Sequence, residues 1–395
     1  METFDAIVVG LGAHGSAAAA SLARRGLRVL GLERFERGEA FGSSGGWSRM
    51  IRLVYFEGPR YVPLARASWD RWRDLEAETD TDLLTQTGGL YAGPADSRPV
   101  AGAIRSAREH GLAHEVLDAA EIHRRWPIFE PAPDTVGLAE EQAGALRIDR
   151  ANAAHLSVAE RHGARLAFGR HVVGWRPTAG GGLEVESADG SVVGTDHLVL
   201  SAGPWLGELV EDLRLPLRVE REVPCWFSPT VEPASVGADR LPVWVMMDGG
   251  TAFYGIPHDP ELGLKVSIHH WGAFVDPDEV ERVVSPADVE RVRSFLRTRM
   301  PAANGPLANA QVCLYTNTPD EGFVLDRHPT VPGVAFASAC SGHGFKFAPV
   351  IGDILADLVM TGSSTWPIEA FRADRFAGSS RRLAASPTAA PPAVG

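Results

Sequence analysis

The stretch Phe4-Asp5-Ala6-Ile7-Val8-Val9-Gly10-Leu11-Gly12-Ala13-His14-Gly15 decides the fold. It predicts a short buried strand that runs into a glycine-rich turn, followed by a helix from Ser16 to Arg25 that Gly26 closes. A second strand, Leu27 to Leu32, leads to Glu33, which lies 18 residues after Gly15. Strand, turn, helix, strand and acid in this order are typical of a dinucleotide-binding βαβ unit.

Each residue type in this unit has a physical reason. Gly10 permits the tight turn, Gly12 lets the backbone approach a pyrophosphate, and Gly15 lets the helix pack on the strand. Glu33 is suited to accept hydrogen bonds from ribose hydroxyls, and its charge disfavours the 2′-phosphate of NADP. A merely structural turn is the alternative. The same turn and strand end contribute the further candidate cofactor residues Ala13, His14 and Arg34.

The middle of the chain favours FAD over NAD. Residues 171–176, 183–186 and 191–194 are predicted to be three short strands, with turns at residues 179–182 and 189–190. A further buried strand, Leu198 to Gly203, ends in small residues, as expected where backbone passes close to a cofactor. A β-meander followed by a returning strand suits FAD folds. The candidate contacts here are Val172, Ala202, Gly203 and Trp205.

Composition limits the classes of protein. The chain has 395 residues, 45% of them apolar, enough for two or three domains. A formal charge of -12 argues against nucleic acid as a partner, although a small anionic substrate remains compatible. Three widely spaced cysteines fit neither a disulfide framework nor a zinc site, and no membrane span or metal site is indicated. These features predict a cytoplasmic protein.

The order of patterns predicts a discontinuous layout in the α/β class. We expect a Rossmann-like FAD-binding domain from residues 1–83, 146–217 and 313–376. Residues 84–145 and 218–312 are expected to form a substrate domain on a mostly antiparallel sheet. A helix from about Val62 to Glu78 carries aromatic residues that we interpret as core. Residues 377–395 are rich in Ser, Pro and Ala, which predicts a disordered tail.

Three further motifs carry a resemblance to a known family: Gly46-Trp-Ser-Arg-Met-Ile-Arg52, Val312-Cys-Leu-Tyr-Thr-Asn-Thr-Pro-Asp-Glu321 and Ser341-Gly-His-Gly-Phe-Lys-Phe347. With them the chain, as far as about Phe376, resembles monomeric sarcosine oxidase and N-methyltryptophan oxidase, within the D-amino-acid-oxidase-like flavoproteins. The resemblance implies a monomeric, FAD-dependent oxidase. It would oxidise the C–N bond of a secondary-amine amino acid to an imine and reduce oxygen to hydrogen peroxide.

The resemblance also implies roles for individual residues. Cys313 would form a thioether to the 8-methyl group of the flavin; the alternative is a buried structural cysteine. Arg52 and Lys346 would hold the substrate carboxylate, a task for which a planar fork and a point charge are suited. Arg49 would lie near the flavin ring. Further cofactor contacts implied are Ser43, Ser44, Gly342, His343, Gly344, Phe345 and Lys346.

Lys265 and His269 are four residues apart on an apparent strand, so their side chains point to one face and can share one cavity. By resemblance, Lys265 would promote oxygen reduction and His269 would orient the substrate amine. The alternative is a solvated lysine and a satisfied polar histidine. Tyr254, Tyr315 and Gly344 would complete the substrate pocket.

One segment departs from the family pattern. After Ser43 the family commonly carries histidines and an acid, whereas this chain has Ser44-Gly45-Gly46-Trp47. We expect Trp47, Trp271, Met246 and Met247 to reshape the pocket. Oxidation of a cyclic imino acid such as proline or pipecolate, or of a biosynthetic intermediate, stays open. So do a flavin dehydrogenase with another electron acceptor and a nucleotide-binding protein without activity.

Overall fold

The protein was analysed as a computed structural model that describes residues 2–39 and 41–377. The predicted tail lies outside the described residues except for Ala377. The helices of the described part are α1 Ala13–Arg24, α2 Val62–Thr79, α3 Arg98–His110, α4 Ala119–Arg125, α5 Ile148–Arg161, α6 Leu206–Leu209, α7 Pro286–Arg299 and α8 Ala348–Thr361. The helix predicted at Val62–Glu78 is therefore confirmed as α2.

The strands alternate with these helices along the chain. The first twelve are β1 Thr3–Val9, β2 Val29–Leu32, β3 Ser48–Arg52, β4 Leu84–Gln86, β5 Gly89–Gly93, β6 Glu115–Asp118, β7 Val136–Glu140, β8 Ala143–Arg147, β9 Arg165–Ala167, β10 Val172–Pro177, β11 Leu183–Ser187 and β12 Val192–Leu200. The remainder are β13 Arg218–Glu222, β14 Cys225–Phe227, β15 Val243–Asp248, β16 Thr251–Asp259, β17 Gly263–His269, β18 Leu307–Ala310, β19 Cys313–Asn317, β20 Val324–Arg327 and β21 Val334–Ser338.

The first large sheet has the order β10-β11-β12-β1-β2-β9, with β21 beside β12 and β20 beside β21. Its centre is parallel: β1 lies between β2 and β12, so that Val8 is opposite both Gly31 and Val199. The helices α1, α5 and α8 contribute buried residues to the core cluster on one face. This is the predicted Rossmann-like layer, in which ligands bind outside the carboxyl ends of the strands.

The meander differs from its prediction in one respect. Its third strand and the returning strand are a single strand, β12, nine residues long. The first half of β12 pairs antiparallel with β11, and its second half pairs in parallel with β21. One continuous strand therefore belongs to both the meander and the parallel sheet, and no turn residues are needed between them.

The second large sheet has the order β18-β14-β17-β16-β15-β5-β7-β6. All its pairs are antiparallel except β15 with β5, which confirms the mostly antiparallel sheet of the prediction. Two small sheets, β3-β8-β4 and β13-β19, complete the described strands. They carry the segments that contain Arg49, Arg52 and Cys313.

Two features are absent from the described residues. None of their helices is both long and apolar enough to cross a membrane. Within the same residues, no group of three or more His, Cys, Asp or Glu side chains is arranged to hold a metal ion.

Candidate active site

A cavity of about 410 Å³ opens at the carboxyl end of the parallel sheet. It is bounded by the glycine turn, by the end of β2 and by the end of β12. Of the predicted cofactor residues, it is lined by Gly10, Gly12, Ala13, His14, Glu33, Arg34, Ser43, Ser44, Val172, Ala202, Gly203, Trp205 and Phe345. The fold thus brings together most of the residues that the sequence assigned to the nucleotide.

The glycine turn packs so closely against its neighbours that Gly10 and Gly15 leave no room for a side chain. Gly10 has a φ of +85°, and a Cβ there would stand 2.7 Å from the Ser201 carbonyl oxygen. A Cβ on Gly15 would lie 1.7 Å from the carbonyl oxygen of Gly10. Gly15 lines neither cavity; it permits the close packing of α1 on β1, as predicted from the motif. α1 begins at Ala13, three residues earlier than predicted, because the turn glycines already lead into the helix.

The polar groups of this cavity suit a dinucleotide. The first turn of α1 contains no acidic residue, so its free amides and helix dipole favour a pyrophosphate. Glu33 is fixed by the Leu11 amide, which donates to its Oε2 at 2.7 Å. Burial raises the pKa of Glu33, against the opposing effect of the backbone donors. The Ala13 amide donates to Ser44 Oγ at 2.9 Å, so the Ser44 side chain holds the first amide of α1.

A second cavity, of about 60 Å³, adjoins the first. The two cavities share Ser43, Cys340 and Phe345 in their walls, so one ligand can reach into both. The second cavity is lined by the predicted residues Arg49, Arg52, Tyr254, His269, Tyr315, Gly342, His343, Gly344 and Lys346. Residues from distant parts of the chain therefore meet next to the place where a dinucleotide would end.

Arg52 is almost fully buried at the end of β3, with 3% of its surface exposed. Its Nη2 donates to Glu57 Oε1 at 2.5 Å, and its guanidinium carbon lies 4.2 Å from the centre of the Tyr55 ring. Nε and Nη1 of Arg52 have no hydrogen-bond partner in the described part of the chain. Burial alone would raise the pKa of Glu57, but Arg52, His343 and Lys346 lower it below its usual range. The guanidinium thus keeps two free donor atoms.

Lys346 lies beside Arg52 and is equally buried. Its Nζ donates to the His343 carbonyl oxygen at 2.7 Å and to Tyr55 Oη at 3.3 Å. Burial, followed by the positive charge of Arg52, holds the pKa of Lys346 well below its usual value. An anion bound between the two cations would stabilise the charged lysine.

Arg49 links the second cavity to Cys313. Its Nη2 donates to the Gly45 carbonyl oxygen at 2.7 Å and to Cys313 Sγ at 3.2 Å. Cys313 itself lines neither cavity, but it begins β19 and shares a strand face with Tyr315, which does. The thiol therefore lies two residues before Tyr315 on the cavity side of β19, in contact with the cationic side chain of Arg49.

His269, Tyr254 and Tyr315 form the aromatic side of the second cavity. His269 Nδ1 lies 3.5 Å from Tyr315 Oη, and its ring is 6.3 Å from that of Tyr254. Burial and the adjacent His270 hold the pKa of His269 well below its usual value. His269 is therefore a neutral imidazole at neutral pH, able to accept as well as donate a hydrogen bond.

Lys265 lies elsewhere than expected. Only 1% of its surface is exposed, and its Nζ donates to the Ser48 carbonyl oxygen at 2.7 Å and lies 5.0 Å from the centre of the Trp226 ring. It lines neither of the two cavities, so the expectation that Lys265 and His269 share one cavity is wrong. Burial, followed by Arg49, holds the pKa of Lys265 well below its usual value. Its Nζ therefore lies at the backbone of Ser48, the residue before Arg49.

The residues expected to reshape the pocket do not line it. Trp47 packs edge-on against Trp226, with ring centres 5.0 Å apart. Trp271 is 37% exposed, and Met246 belongs to the core of the second sheet. Met247 also stays outside the cavity wall, and strand alternation turns Met246 away from the face that carries Val245. The apolar wall is instead formed by Met50, Phe56 and Val245.

Two features were missed in the sequence. Glu57, the buried partner of Arg52, follows five residues later and was not recognised. The chain also contains only two lysines, Lys265 and Lys346, among 38 basic residues. Both are buried, whereas charged side chains are rarely buried without a partner or a function. The rarity of lysine was available in the composition and would have singled out both residues without any resemblance.

Comparisons with known proteins agree with this geometry. The family of FAD dependent oxidoreductases (DAO) matches residues 5–358. Monomeric sarcosine oxidase from Streptomyces avermitilis is 41% identical over 98% of this chain and 99% of that protein. N-methyl-L-tryptophan oxidase from Salmonella dublin is 33% identical over 94% of this chain and 99% of that protein. The crystal structure of NikD, described as an unusual amino acid oxidase essential for nikkomycin biosynthesis, superimposes with a TM-score of 0.83, at 25% identity, over 94% of this chain and 98% of that one.

The fold and the double cavity thus define an FAD-dependent oxidoreductase. Within that class the chain belongs to the family of monomeric sarcosine oxidase and N-methyltryptophan oxidase, which confirms the resemblance inferred from the three motifs. It spans nearly the whole length of these relatives.

Proposed function

We propose that the protein is an oxidase of N-methyl amino acids that uses FAD and oxygen. The observation that carries this proposal is the pair of buried cations in the second cavity. Arg52 has two unpartnered donor atoms and Lys346 lies beside it, so the cavity is short of an anion. A substrate carboxylate would supply that anion and accept a bidentate hydrogen bond from the guanidinium. The names of the relatives indicate the substrate class.

The wall opposite the cations would hold the amine. His269 and Tyr315 can hydrogen-bond to a secondary amine, while Met50, Phe56 and Val245 restrict the space for a side chain. Only an unprotonated amine can give up electrons, and the surrounding cations favour that form because they raise the cost of an ammonium. Bound FAD supplies the acceptor for the hydride equivalent and passes the two electrons to oxygen.

The first cavity would hold the nucleotide part of FAD. Its pyrophosphate would lie at the start of α1 and its ribose would meet Glu33. The isoalloxazine end would pass Ser43 and Cys340 into the shared wall, where Arg49 provides positive charge. Lys265, whose Nζ donates to the Ser48 carbonyl oxygen, would act in the reaction with oxygen. A negative charge arriving in the cavity would raise the pKa of Lys265 and bring its positive charge to the site.

The test of this function is anaerobic. The purified protein is mixed in turn with sarcosine, N-methyltryptophan, proline and pipecolate while its flavin absorbance is recorded, and air is then admitted. We expect bleaching by sarcosine, complete reversal by air and one equivalent of hydrogen peroxide. Bleaching by proline or pipecolate alone would move the substrate to cyclic imino acids. A yellow protein that none of the four bleaches would overturn the assignment of a carboxylate and amine substrate.

We also propose that Cys313 holds the flavin covalently. The support is its place on β19 beside Arg49, two residues before Tyr315 of the cavity wall. After denaturation in acid, the flavin should stay with the polypeptide of the natural protein and leave that of Cys313→Ser. The matched control is Cys340→Ser, because Cys340 lines both cavities. Flavin that dissociates from the denatured natural protein would contradict the link without affecting the proposed reaction.

A further inference from the structure

A cluster of buried polar side chains lies behind the aromatic side of the second cavity and has no part in the function proposed above. It consists of Glu220 and Glu222 on β13, Asn317 at the end of β19, and His270 directly after β17. Glu220 and Glu222 are 4% and 5% exposed. Two acids so deeply buried are unusual unless their charge is compensated or used.

Glu220 receives several hydrogen bonds. Asn317 Nδ2 donates to its Oε2 at 2.6 Å, and His270 Nδ1 lies 3.1 Å from the same oxygen. The Gly272 amide donates to its Oε1 at 2.9 Å. Burial opposes ionisation, yet His270 and Asn317 together lower the pKa of Glu220. Glu220 is therefore an anion at neutral pH.

Glu222 differs in the direction of its pKa. Burial and the negative charge of Glu220 hold the pKa of Glu222 well above its usual value. Its Oε1 accepts from the amides of Trp271 at 2.8 Å and Gly272 at 3.2 Å. The two carboxyl groups together fix the turn that follows β17.

That turn places two histidines back to back. His270 has a φ of 56°, a left-handed backbone conformation. The ring centres of His269 and His270 are 4.2 Å apart, and both rings lie within 6 Å of Tyr315. His269 and Tyr315 line the cavity, whereas His270 faces Glu220. One layer of aromatic rings therefore separates the Glu220 carboxylate from the space proposed for the amine.

We propose that Glu220 is a positioning residue for the substrate amine. Its negative charge stabilises the positive form of the amine through the layer formed by His270, His269 and Tyr315. The inference rests on the proposed function. The proposed carboxylate ligands Arg52 and Lys346 line the same cavity as His269, and Glu220 lies behind His269 and His270. A zwitterionic amino acid fits such a site in one orientation, with its carboxylate at Arg52 and its nitrogen at His269.

The pH at which the bound amine loses its proton depends on every charge around it. The groups that face the amine side from the neighbouring elements are Arg49, Arg52, Glu57, Tyr254, His269, His270, Tyr315, His343 and Lys346, with Glu220 and Glu222 behind them. Among the acids in this set, Glu57 pairs with Arg52, whereas Glu220 contacts His270, the neighbour of His269. Removing the charge of Glu220 should let the amine lose its proton at lower pH.

The experiment compares two ligands of the same shape. Trimethylglycine has a permanent positive charge, and 3,3-dimethylbutanoate replaces its nitrogen by carbon and has none. Their dissociation constants are measured without turnover, from the change that each causes in the flavin spectrum. In Glu220→Gln the ratio of affinities should move about tenfold towards the uncharged ligand, the size expected for one charge removed across a ring layer. The pH profile of anaerobic flavin reduction by the substrate should move down by about one unit.

The variants keep the fold testable. Asn317 Oδ1 is buried without a hydrogen-bond partner among the described residues, so Asn317 can flip and accept from the new amide in Glu220→Gln. Glu220→Asp keeps the charge but withdraws it, so its affinity ratio should lie between those of the natural protein and Glu220→Gln. It is the variant to measure if Glu220→Gln loses its flavin. His270→Asn keeps a donor towards Glu220 and tolerates the left-handed φ, so it should retain the natural ratio. Glu279→Gln removes the same charge from an exposed position as the matched control.

The outcomes separate the two proposals. An unchanged affinity ratio in both Glu220 variants would overturn the positioning role and leave the proposed function intact. A ratio that moves equally in Glu279→Gln would also overturn it, because the effect would then be one of net charge. If neither ligand perturbs the flavin of the natural protein, the carboxylate site fails, and this inference fails with it.

Discussion

The cofactor end and the substrate end of the molecule are built in different ways. The cofactor cavity is organised by one continuous segment, residues 3–33, whose backbone and glycines leave room for a dinucleotide. The substrate cavity is assembled from side chains on β3, β16, β17, β19 and the segment before α8. The cofactor cavity therefore depends on the space around the backbone, and the substrate cavity depends on buried charge. Substitutions that change only space or only charge can test these two dependences separately.

The largest effect is expected from Gly10→Ala at the cofactor end. The new Cβ would meet the Ser201 carbonyl oxygen at 2.7 Å and Ala202 Cα at 2.9 Å. Gly26→Ala is the matched control, because Gly26 has a φ of +87° but nothing within 4 Å of a Cβ. Strain alone should cost about 1 kcal/mol in both, and overpacking about 1–3 kcal/mol more in Gly10→Ala. We expect Gly10→Ala to lose FAD and Gly26→Ala to retain it, as measured by flavin content and thermal unfolding. Equal behaviour would contradict the role of backbone space.

The second test concerns the positive charge of Lys265. In Lys265→Met, flavin reduction by the substrate should survive, while reoxidation in air should slow by about 10²–10³-fold, the usual cost of removing one electrostatic donor. Both half-reactions are followed by stopped-flow absorbance. Met matches the length of the lysine stem, so the core around Trp226 should stay filled. Reoxidation at the natural rate would show that Lys265 is only a buried anchor for the Ser48 carbonyl group.

Lys346→Met tests the positive charge of the substrate cavity. Truncating one partner of a buried charged contact costs about 2–5 kcal/mol, so KM should rise by about thirtyfold or more while FAD remains bound. Lys346→Arg is the informative companion, since it keeps the charge but changes the shape beside Arg52. A KM that does not move in either variant would remove the carboxylate from this cavity.

The smallest effect is expected from Phe56→Ala, which changes space at the substrate end. Phe56 lines the second cavity, and the guanidinium carbon of Arg52 lies 4.4 Å from the centre of its ring. The variant should shift the ratio of kcat/KM values towards N-methyl amino acids with larger side chains by about tenfold. It should also lower stability by about 3 kcal/mol because of the cavity it leaves. An unchanged preference would mean that the size limit lies elsewhere in the wall.

The sequence predicted the two ends unequally well. Gly10, Gly12, Gly15 and Glu33 could be assigned from spacing, because a βαβ turn imposes local steric rules that residues close in sequence must satisfy. For Arg52, Lys346 and His269, spacing gave no comparable signal, and their assignment depended on resemblance to a family. Their roles stay predictions, although the structure places all three on one cavity.

What the sequence by itself determined is the class of fold and cofactor. The alternation of apolar runs and glycine turns is a local property, and it predicted the parallel sheet, the meander and the antiparallel sheet. Only the tertiary structure decided which charged and polar groups meet: Glu57 with Arg52, Lys265 with the Ser48 carbonyl group, and Glu220 with His270. It also put Phe56 rather than Trp271 on the cavity wall. The reason is that burial and the electrostatic environment of a side chain depend on neighbours far away in the sequence.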